Sequence, residues 1–208
     1  QREEIEDSIL REALHLSHLV ENVLDIARMH NRKAKALAFT PVKPLELVSS
    51  VVGTYESWIR SKGFSVGLRV EDTIDDQLWD REAVSRALLN LIDNAVKYSG
   101  DEKSIEIVLR QTVDDVVMEV ADRGIGIDAS DLEHIFEPYY RAQFSDTQTR
   151  RGAGLGLTLV HQIVTSHGGR VEVASERGTG STFRLLFPRN RSAEAETIPA
   201  LSQAPQTF

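Results

Sequence analysis

The chain has 208 residues, 41% of them hydrophobic, and a formal net charge of −8 without a basic block. This composition predicts a packed core and argues against wholesale disorder and a nucleic-acid partner. Because cysteine is absent, disulfides, thiolate nucleophiles and thiolate zinc sites are excluded. No apolar run reaches the ~18 residues of a membrane span and no signal peptide is visible, so we expect no membrane contact by this chain. The chain starts at Gln1, so we expect a cytoplasmic fragment whose parent protein can carry a membrane anchor upstream.

The first 30 residues carry an apolar stripe with spacings of three and four, which predicts one long helix. The stripe consists of Ile5, Ile9, Ala13, Leu16, Val20, Val23 and Ala27. A helix with such a stripe requires a partner helix, and no other segment of the chain resembles one. We therefore assign residues 1–32 to a unit that pairs with another chain or with a segment upstream.

The rest of the chain alternates between helices and strands, after a polar hinge and an edge strand within residues 30–44. Helices are predicted at residues 45–60, 81–98 after the N-cap Asp80, and 155–166. Strands are predicted at residues 64–70, 77–79, 104–112, 116–122, 170–175 and 180–187. Residues 123–153 are predicted to be loop with a short helix near Leu132 to Phe136, and residues 189–208 to be disordered.

These elements predict the α/β class, as an α+β two-layer sandwich in which helices cover one face of a single mixed, mostly antiparallel sheet. The predicted globular domain spans residues 38–188.

The helix after Asp80 contains the sequence NLIDNAVKY. Asn90, Asn94 and Lys97 lie within about 60° of one another around it, opposite an apolar side. This pattern is compatible with the solvated face of an amphipathic helix. It also offers a neutral oxygen ligand for Mg²⁺ and a positive charge for phosphates. Two asparagines within one mid-helix turn favour a functional reason, because asparagine is a poor helix former.

The sequence DRGIGI at residues 122–127 follows a predicted strand. It is compatible with an ordinary strand-ending turn. Alternatively, Asp122 accepts a hydrogen bond from the exocyclic amine of a ligand, and Gly124 and Gly126 let a flat base lie against the backbone.

The sequence RRGAGLGLTL at residues 150–159 matches neither the dinucleotide fingerprint G-x-G-x-x-G nor a P-loop ending in G-K-[ST]. Free N–H groups at the start of the Leu155 helix can nevertheless bind an anion. In ERGTGSTF, Gly178 and Gly180 suit a hairpin turn, and Thr182 is the residue that can direct a hydroxyl at a ligand.

Taken together, NLIDNAVKY, DRGIGI, IFEPYYRA, GAGLGL and GTGSTF resemble, in order and spacing, the N, G1, F, G2 and G3 boxes of the sensor histidine kinases of two-component systems. That family shares the GHKL or Bergerat ATP-binding fold with type II topoisomerases, mismatch-repair ATPases and one chaperone family. The resemblance covers residues 40–188. In addition, LSHLVENVLDIARM resembles the second helix of the kinases' dimerisation hairpin.

The resemblance implies a site for ATP and Mg²⁺. Asn94 would ligate the Mg²⁺ that bridges the phosphates, with Asn90 beside it and Lys97 near the phosphates. Asp122 would receive the adenine amine, and Thr182 would close the adenine side. The other implied ATP-binding residues are Tyr98, Gly124, Gly126, Ile127, Tyr140, Arg141, Gly152, Gly154, Leu155, Gly156 and Leu157. Residues 128–153 would form a lid over the nucleotide.

One family feature is missing. The phosphoacceptor histidine of these kinases precedes an acidic residue and, soon after, a proline, whereas His15 is followed by LSH and His18 by LVE. We therefore expect the fragment to bind Mg-ATP without phosphorylating itself. For the intact protein the resemblance implies a homodimer through the first helix, phosphorylation of a histidine, and transfer to an aspartate of a response-regulator receiver domain.

Two alternatives are less consistent with these residues. In ATP-hydrolysing relatives a glutamate four residues before the metal-binding asparagine activates water, but Asn90 occupies that position here and cannot act as a base. A degenerate scaffold would be indicated by loss of Asp122, Asn94 or the lid glycines, and all are present.

Overall fold

The computed structural model of the chain describes residues 37–141 and 154–189. The predicted helix within residues 1–32, Gly152 and residues 190–208 of the predicted disordered tail lie outside these ranges. None of the helices within the described ranges combines the length and the apolar character that a bilayer crossing requires.

Ten helices and strands make up the described part of the chain. In chain order they are β1 (Thr40–Val42), α1 (Pro44–Ser61), β2 (Ser65–Glu71), β3 (Gln77–Trp79), α2 (Arg81–Tyr98), β4 (Ser104–Gln111), β5 (Asp115–Asp122), α3 (Gly156–Ser166), β6 (Arg170–Glu176) and β7 (Gly180–Pro188). Nine of them begin and end within one residue of their predicted bounds, and β1 lies within residues 30–44, where an edge strand is predicted. Pro44, whose fixed φ suits a first helical turn, begins α1.

Five of the strands form one sheet in the order β2–β4–β5–β7–β6. β2 runs parallel to β4, and the other neighbours are antiparallel. The predicted mixed, mostly antiparallel sheet is therefore confirmed. The prediction of a single sheet is wrong, because β1 and β3 pair with each other in a separate two-stranded ribbon. Val42 and Trp79 on the inner face of this ribbon are buried in the same core as the main sheet.

Alternation along the central strands directs one face of the sheet toward the helices. Ile107 of β4, Met118 of β5 and Leu185 of β7 are completely buried there. The opposite face carries ion pairs, such as the one between Arg184 and Glu119 at 2.6 Å. Helices thus cover one face of the sheet, which confirms the predicted two-layer sandwich.

The short helix predicted near Leu132 is replaced by consecutive turns. The N–H groups of Leu132 and Ile135 donate across four residues, but that of His134 donates to Asp131, across three. Pro138 cannot donate and disfavours helical geometry in the residue before it, so the segment ends without a regular helical turn.

Asp80 joins three segments of the chain. Its Oδ1 accepts the N–H of Ala83 at 2.9 Å, which makes it the N-cap of α2 as predicted. Its Oδ2 accepts the N–H of Ala38 at 2.9 Å, just before β1. Its own N–H donates to Nε2 of His167 at 3.0 Å. This histidine follows α3, and its Nδ1 lies 2.7 Å from the carbonyl oxygen of Ile163.

We expect Asp80→Ala to lower the free energy of unfolding by about 1–2 kcal/mol, because the N-cap bond and the bond to Ala38 are both lost. Burial raises the pKa of Asp80, but the N–H groups of Ala83 and Ala38 and the charge of Arg86 outweigh it and hold the pKa below its usual 3.8. The stabilisation by the ionised group is therefore complete above pH 3.8 and is lost as the pH falls through the lower folded-state pKa. Asp80→Asn keeps one acceptor oxygen for the bond from Ala83, but its amide nitrogen cannot accept the N–H of Ala38. We therefore expect this variant to lose less stability than Asp80→Ala and to lack this acid dependence in thermal unfolding curves; the same acid dependence in the wild-type protein and in Asp80→Asn would contradict the assignment.

Candidate functional site

A pocket opens between α2, the C-terminal end of β5, the loop after β5 and the start of α3. It is lined by Asn94, Tyr98, Asp122, Ile125, Gly126, Ile127, Ile135, Tyr140, Arg141, Leu157 and Ser181. The polar groups are few and the remaining walls are apolar or aromatic, which is typical of a small-molecule site. Residues that lie far apart in the sequence, from the predicted N, G1, F, G2 and G3 segments, thus converge on one cavity.

Asp122 is the carboxylate of this pocket. It ends β5, stands opposite Ser181 of β7 in the strand register, and its Oδ1 accepts the N–H of Gly124 at 2.8 Å. Burial raises the pKa of the Asp122 carboxyl, although hydrogen bonds from the N–H groups of Gly124 and Ser181 act in the opposite direction. A partly desolvated acceptor beside Ile125 and Ile127 suits an N–H donor on a flat, otherwise apolar ligand.

The glycines of DRGIGI are required by the protein itself. A Cβ on Gly126, which has a φ of +68°, would lie 2.0 Å from the carbonyl oxygen of Glu176. A Cβ on Gly124 would lie 2.3 Å from the carbonyl oxygen of Tyr98. The positions of their missing side chains face α2 and the hairpin after β6. Gly126 also lines the pocket, so the prediction that these glycines admit a base against the backbone stays a prediction.

On α2, the three predicted polar residues have different surroundings. Asn94 lines the pocket. Lys97 is half-buried, with its Nζ 5.5 Å from the centroid of the Tyr98 ring. Burial lowers the pKa of Lys97; the nearby charge of Asp93 raises it and that of Arg141 lowers it further. A phosphate beside this ammonium would compensate its desolvation.

Asn90 does not lie on a solvated face. It is only 4% exposed, and its Nδ2 donates to the carbonyl oxygen of Arg86 at 2.9 Å. Its Oδ1 lies 3.0 Å from the place where a Cβ on Gly156 would be. Asn90 therefore packs between α2 and α3 beside the pocket rather than among its lining residues.

One wall of the pocket is formed by residues that lie just before and just after residues 142–153 in the sequence. Gly154 has a φ of +69°, and its carbonyl oxygen accepts the N–H of Tyr139 at 3.0 Å. Leu155 is buried and precedes α3, and Leu157 faces the pocket. The Tyr140 hydroxyl donates to Oδ1 of Asp131 at 2.6 Å, which fixes this ring in the pocket wall.

Thr182 does not face the pocket, contrary to the sequence-based expectation. Side chains alternate along β7, and Thr182 stands opposite Ala121 and Ala174 on the open face of the sheet. Ser181 faces the pocket instead and is 7% exposed. The sequence held a signal for this, because Phe183 is a clear core residue and Ser181 shares its side of the strand. Ile125 and Ile135 also line the pocket and were not predicted.

We expect Ser181→Leu to weaken binding of the ATP that the sequence resemblance implies by about tenfold or more, because the larger side chain projects into the pocket. Thr182→Leu adds similar bulk on the open face of the sheet and should leave the affinity within about twofold. Calorimetric titration of both variants, after their thermal unfolding is compared, tests the assignment. A larger loss of affinity in Thr182→Leu than in Ser181→Leu would show that Thr182, not Ser181, faces the pocket.

An α+β sandwich with a partly buried carboxylate at the end of a central strand, faced by an asparagine-bearing helix, is compatible with a site for a flat ligand that carries an N–H donor. Comparison with known sequences makes the class specific. The chain belongs to the family described as "Histidine kinase-, DNA gyrase B-, and HSP90-like ATPase", whose sequence profile matches residues 79–191, more than half of the chain. The ATP-binding fold expected from the resemblance is thereby confirmed.

The individual relatives and similar structures include a sensor protein and a histidine kinase. The chain is 28% identical over 193 residues to sensor protein KdpD of Clostridium acetobutylicum, covering 91% of this chain and 21% of KdpD. Acinetobacter baumannii histidine kinase AdeS has a similar structure, with a TM-score of 0.65 and 25% identity over 88% of this chain and 83% of AdeS. Full-length ShkA, solved in complex with AMPPNP, has a TM-score of 0.68 and 30% identity over 91% of this chain and 39% of ShkA. The chain therefore spans only about a fifth of KdpD and two fifths of ShkA.

Proposed function

We propose that the chain is the ATP-binding catalytic part of a sensor histidine kinase, which transfers the γ-phosphoryl group of ATP to a histidine outside this sequence. The observation that carries the proposal is the convergence of Asp122, Asn94 and Tyr98 on one pocket. In this proposal Asp122 accepts the adenine amine, and Tyr98 and Tyr140 lie beside the nucleotide. The complex of the similar protein ShkA with AMPPNP supports a nucleotide as the ligand.

Mg²⁺ fits the residues at the phosphate end of this pocket. Asn94 supplies an amide oxygen, a ligand type that Mg²⁺ accepts, and Lys97 follows it by three residues on the same side of α2. Bound Mg²⁺ would supply charge neutralisation for the phosphate oxygens. In this arrangement Lys97 and Arg141 contribute further positive charge, and the start of α3 contributes backbone N–H groups.

Phosphoryl transfer is favoured over hydrolysis by the surroundings of Asn90. Its amide cannot take a proton from water, and it is already bonded to the carbonyl oxygen of Arg86 and packed close to Gly156. A buried residue in this setting positions helices rather than activating a nucleophile. The intact pocket likewise argues against a purely structural module.

For the intact protein we propose three further properties. Residues 1–32 pair in a homodimer, because their apolar stripe requires a partner helix. A response-regulator receiver domain accepts the phosphoryl group, as the resemblance to sensor kinases implies. The domain works in the cytoplasm, where its nucleotide is available, whatever anchor the parent protein carries.

Incubation with ATP labelled at the γ-phosphate tests this function. We expect no acid-labile phosphoprotein from the 208-residue chain alone, because the acceptor histidine is missing. A version extended upstream by the natural preceding segment should acquire acid-labile, base-stable label, and Asn94→Ala in that version should abolish it. Self-labelling of the 208-residue chain would contradict the prediction that the acceptor histidine lies outside this sequence. Rapid phosphate release without any labelled protein would indicate an ATPase instead.

A further inference from the structure

The outer face of the β1–β3 ribbon carries an exposed apolar surface. Pro41 and Leu78 stand directly opposite each other in the register. Phe39 precedes Pro41 by two residues, so the two side chains lie on the same face. Phe39 is 49% exposed and Leu78 50%. We call Phe39, Pro41 and Leu78 the ribbon patch. The inner face of the ribbon already fills the core, so folding of the domain does not account for the apolar character of the outer one.

The chain enters the domain beside this patch in a fixed direction. The N–H of Ala38 donates to Oδ2 of Asp80 at 2.9 Å. The ring of Phe39 meets that of His167 edge-on, with 5.0 Å between their centroids. The described part of the chain therefore begins immediately next to the ribbon patch, and residues 1–36 connect to it there.

Residues 71–82 beside the ribbon patch and the segment just upstream of it carry charges of opposite sign. Residues 71–82 contain six carboxylates and one arginine. Glu71 pairs with Arg69 and Asp75 with Arg189, whereas Asp72 and Asp76 are exposed. Lys43, which directly follows β1, is paired with Glu46 at 3.2 Å. The segment just upstream, residues 28–35, has the opposite character: RMHNRKAK contains four Lys or Arg residues and no acidic one.

This upstream segment also supplies an apolar group. On a helical projection Met29 falls about 150° from the centre of the apolar stripe of residues 1–27. A partner helix bound to that stripe would therefore leave Met29 available for contact with the ribbon patch. Met29 precedes Phe39 by about ten residues, and a chain of that length spans up to about 33–36 Å, enough to fold back onto the patch.

We propose that residues 28–36 dock on the ribbon patch of the same chain, with Met29 on its apolar surface and the basic side chains toward the carboxylates of residues 71–82. Asp80 caps α2, and His167 follows α3. Docking therefore fixes the upstream segment against the far ends of the two helices that border the pocket. The inference stands independently of the ligand of that pocket.

Limited digestion of the 208-residue chain with trypsin tests the docking, because Arg28, Arg32, Lys33 and Lys35 are all cleavage sites. Mass spectrometry follows cleavage after these residues, with a synthetic peptide of residues 20–40 as the unprotected reference. We expect cleavage in the chain to be slower than in the peptide by about tenfold or more. Leu78→Asp, and the milder Leu78→Ser, should restore most of the peptide rate.

Val113→Asp is the matched control, because Val113 is 72% exposed at the tip of the β4–β5 hairpin; it should leave the protection unchanged. Cleavage after Arg110 within β4 reports global unfolding in the same digest. Equal rates in chain and peptide would overturn the proposal, as would protection that survives both Leu78 variants in a folded domain. Because pairing of residues 1–32 can itself shield Arg28 and Arg32, the decisive sites are Lys33 and Lys35. Protection of these two sites that rises with chain concentration and is lost in the Leu78 variants would overturn the proposal in favour of a second copy of the chain on the patch.

Discussion

Asp122→Asn is expected to weaken ATP binding by about 10- to 150-fold, because it replaces a charged acceptor by an amide and loses about 1.5–3 kcal/mol. The substitution preserves shape, so the turn that begins at Gly124 can keep its bond to the side-chain oxygen. Calorimetric titration with ATP, with and without Mg²⁺, measures the loss. Asp101→Asn is the control, since Asp101 is an exposed carboxylate outside the pocket lining and outside the expected lid. An unchanged affinity in the Asp122 variant would remove the adenine assignment.

The same substitution should stabilise the ligand-free domain. Burial raises the pKa of Asp122 above its usual 3.8, so the folded state favours the protonated form and ionisation costs folding free energy at neutral pH. The neutral amide of the variant carries no such cost, and we expect a higher melting temperature for Asp122→Asn at neutral pH. The difference should disappear below pH 3.8, where the aspartate is itself protonated. A gain in stability with a loss in affinity is the signature of a group retained for its ligand.

Gly126→Ala is expected to lower the free energy of unfolding by about 3 kcal/mol or more, because backbone strain and overpacking act together. The residue has a φ of +68°, and its new Cβ would lie 2.0 Å from the backbone carbonyl oxygen of Glu176. Since a backbone oxygen cannot rotate away as a side chain does, either the turn or the hairpin after β6 must shift. Urea denaturation followed by circular dichroism measures the change.

Two other glycines separate the causes of this loss. Gly178 has a φ of +86° but nothing within 4 Å of its Cβ position, so Gly178→Ala should cost only the conformational penalty of about 1–2 kcal/mol. Gly67 in β2 has neither a positive φ nor a close neighbour, so Gly67→Ala should be neutral or stabilising by about 0.5–1 kcal/mol. Equal losses at Gly126 and Gly178 would show that the contact with Glu176 contributes nothing.

The helices and strands were predictable because each carries a local signal. Asp80 bonds the third residue after it, Pro44 begins α1, and the apolar side of α2 follows a period of 3.6 residues. The segment near Leu132 lacked such a signal and was predicted wrongly as a helix. The separate β1–β3 ribbon was also missed, because strands of three residues contain too little pattern to reveal their partner.

Within the site, the chemical character of a side chain was easier to predict from the sequence than its burial and its neighbours. The acidic character of position 122 is visible in the sequence, and the structure places that carboxylate in the pocket. The burial of Asn90 was not visible, because it depends on how closely α3 approaches α2 at Gly156. Thr182 was chosen over Ser181 without regard to strand alternation, and a step of one residue along a strand moves a side chain to the other face of the sheet.

The turn after β5 and the hairpin between β6 and β7 interlock at the base of the pocket. The N–H of Gly178 donates to the carbonyl oxygen of Ile125 at 2.8 Å. A Cβ on Gly180 would lie 2.1 Å from the carbonyl oxygen of Asp122, as one on Gly126 would meet Glu176. Two motifs that lie far apart in the sequence therefore constrain each other during evolution. A side chain gained at Gly126 or Gly180 requires the backbone of the other motif to move, and a shift of the backbone at Asp122 displaces its carboxylate in the pocket.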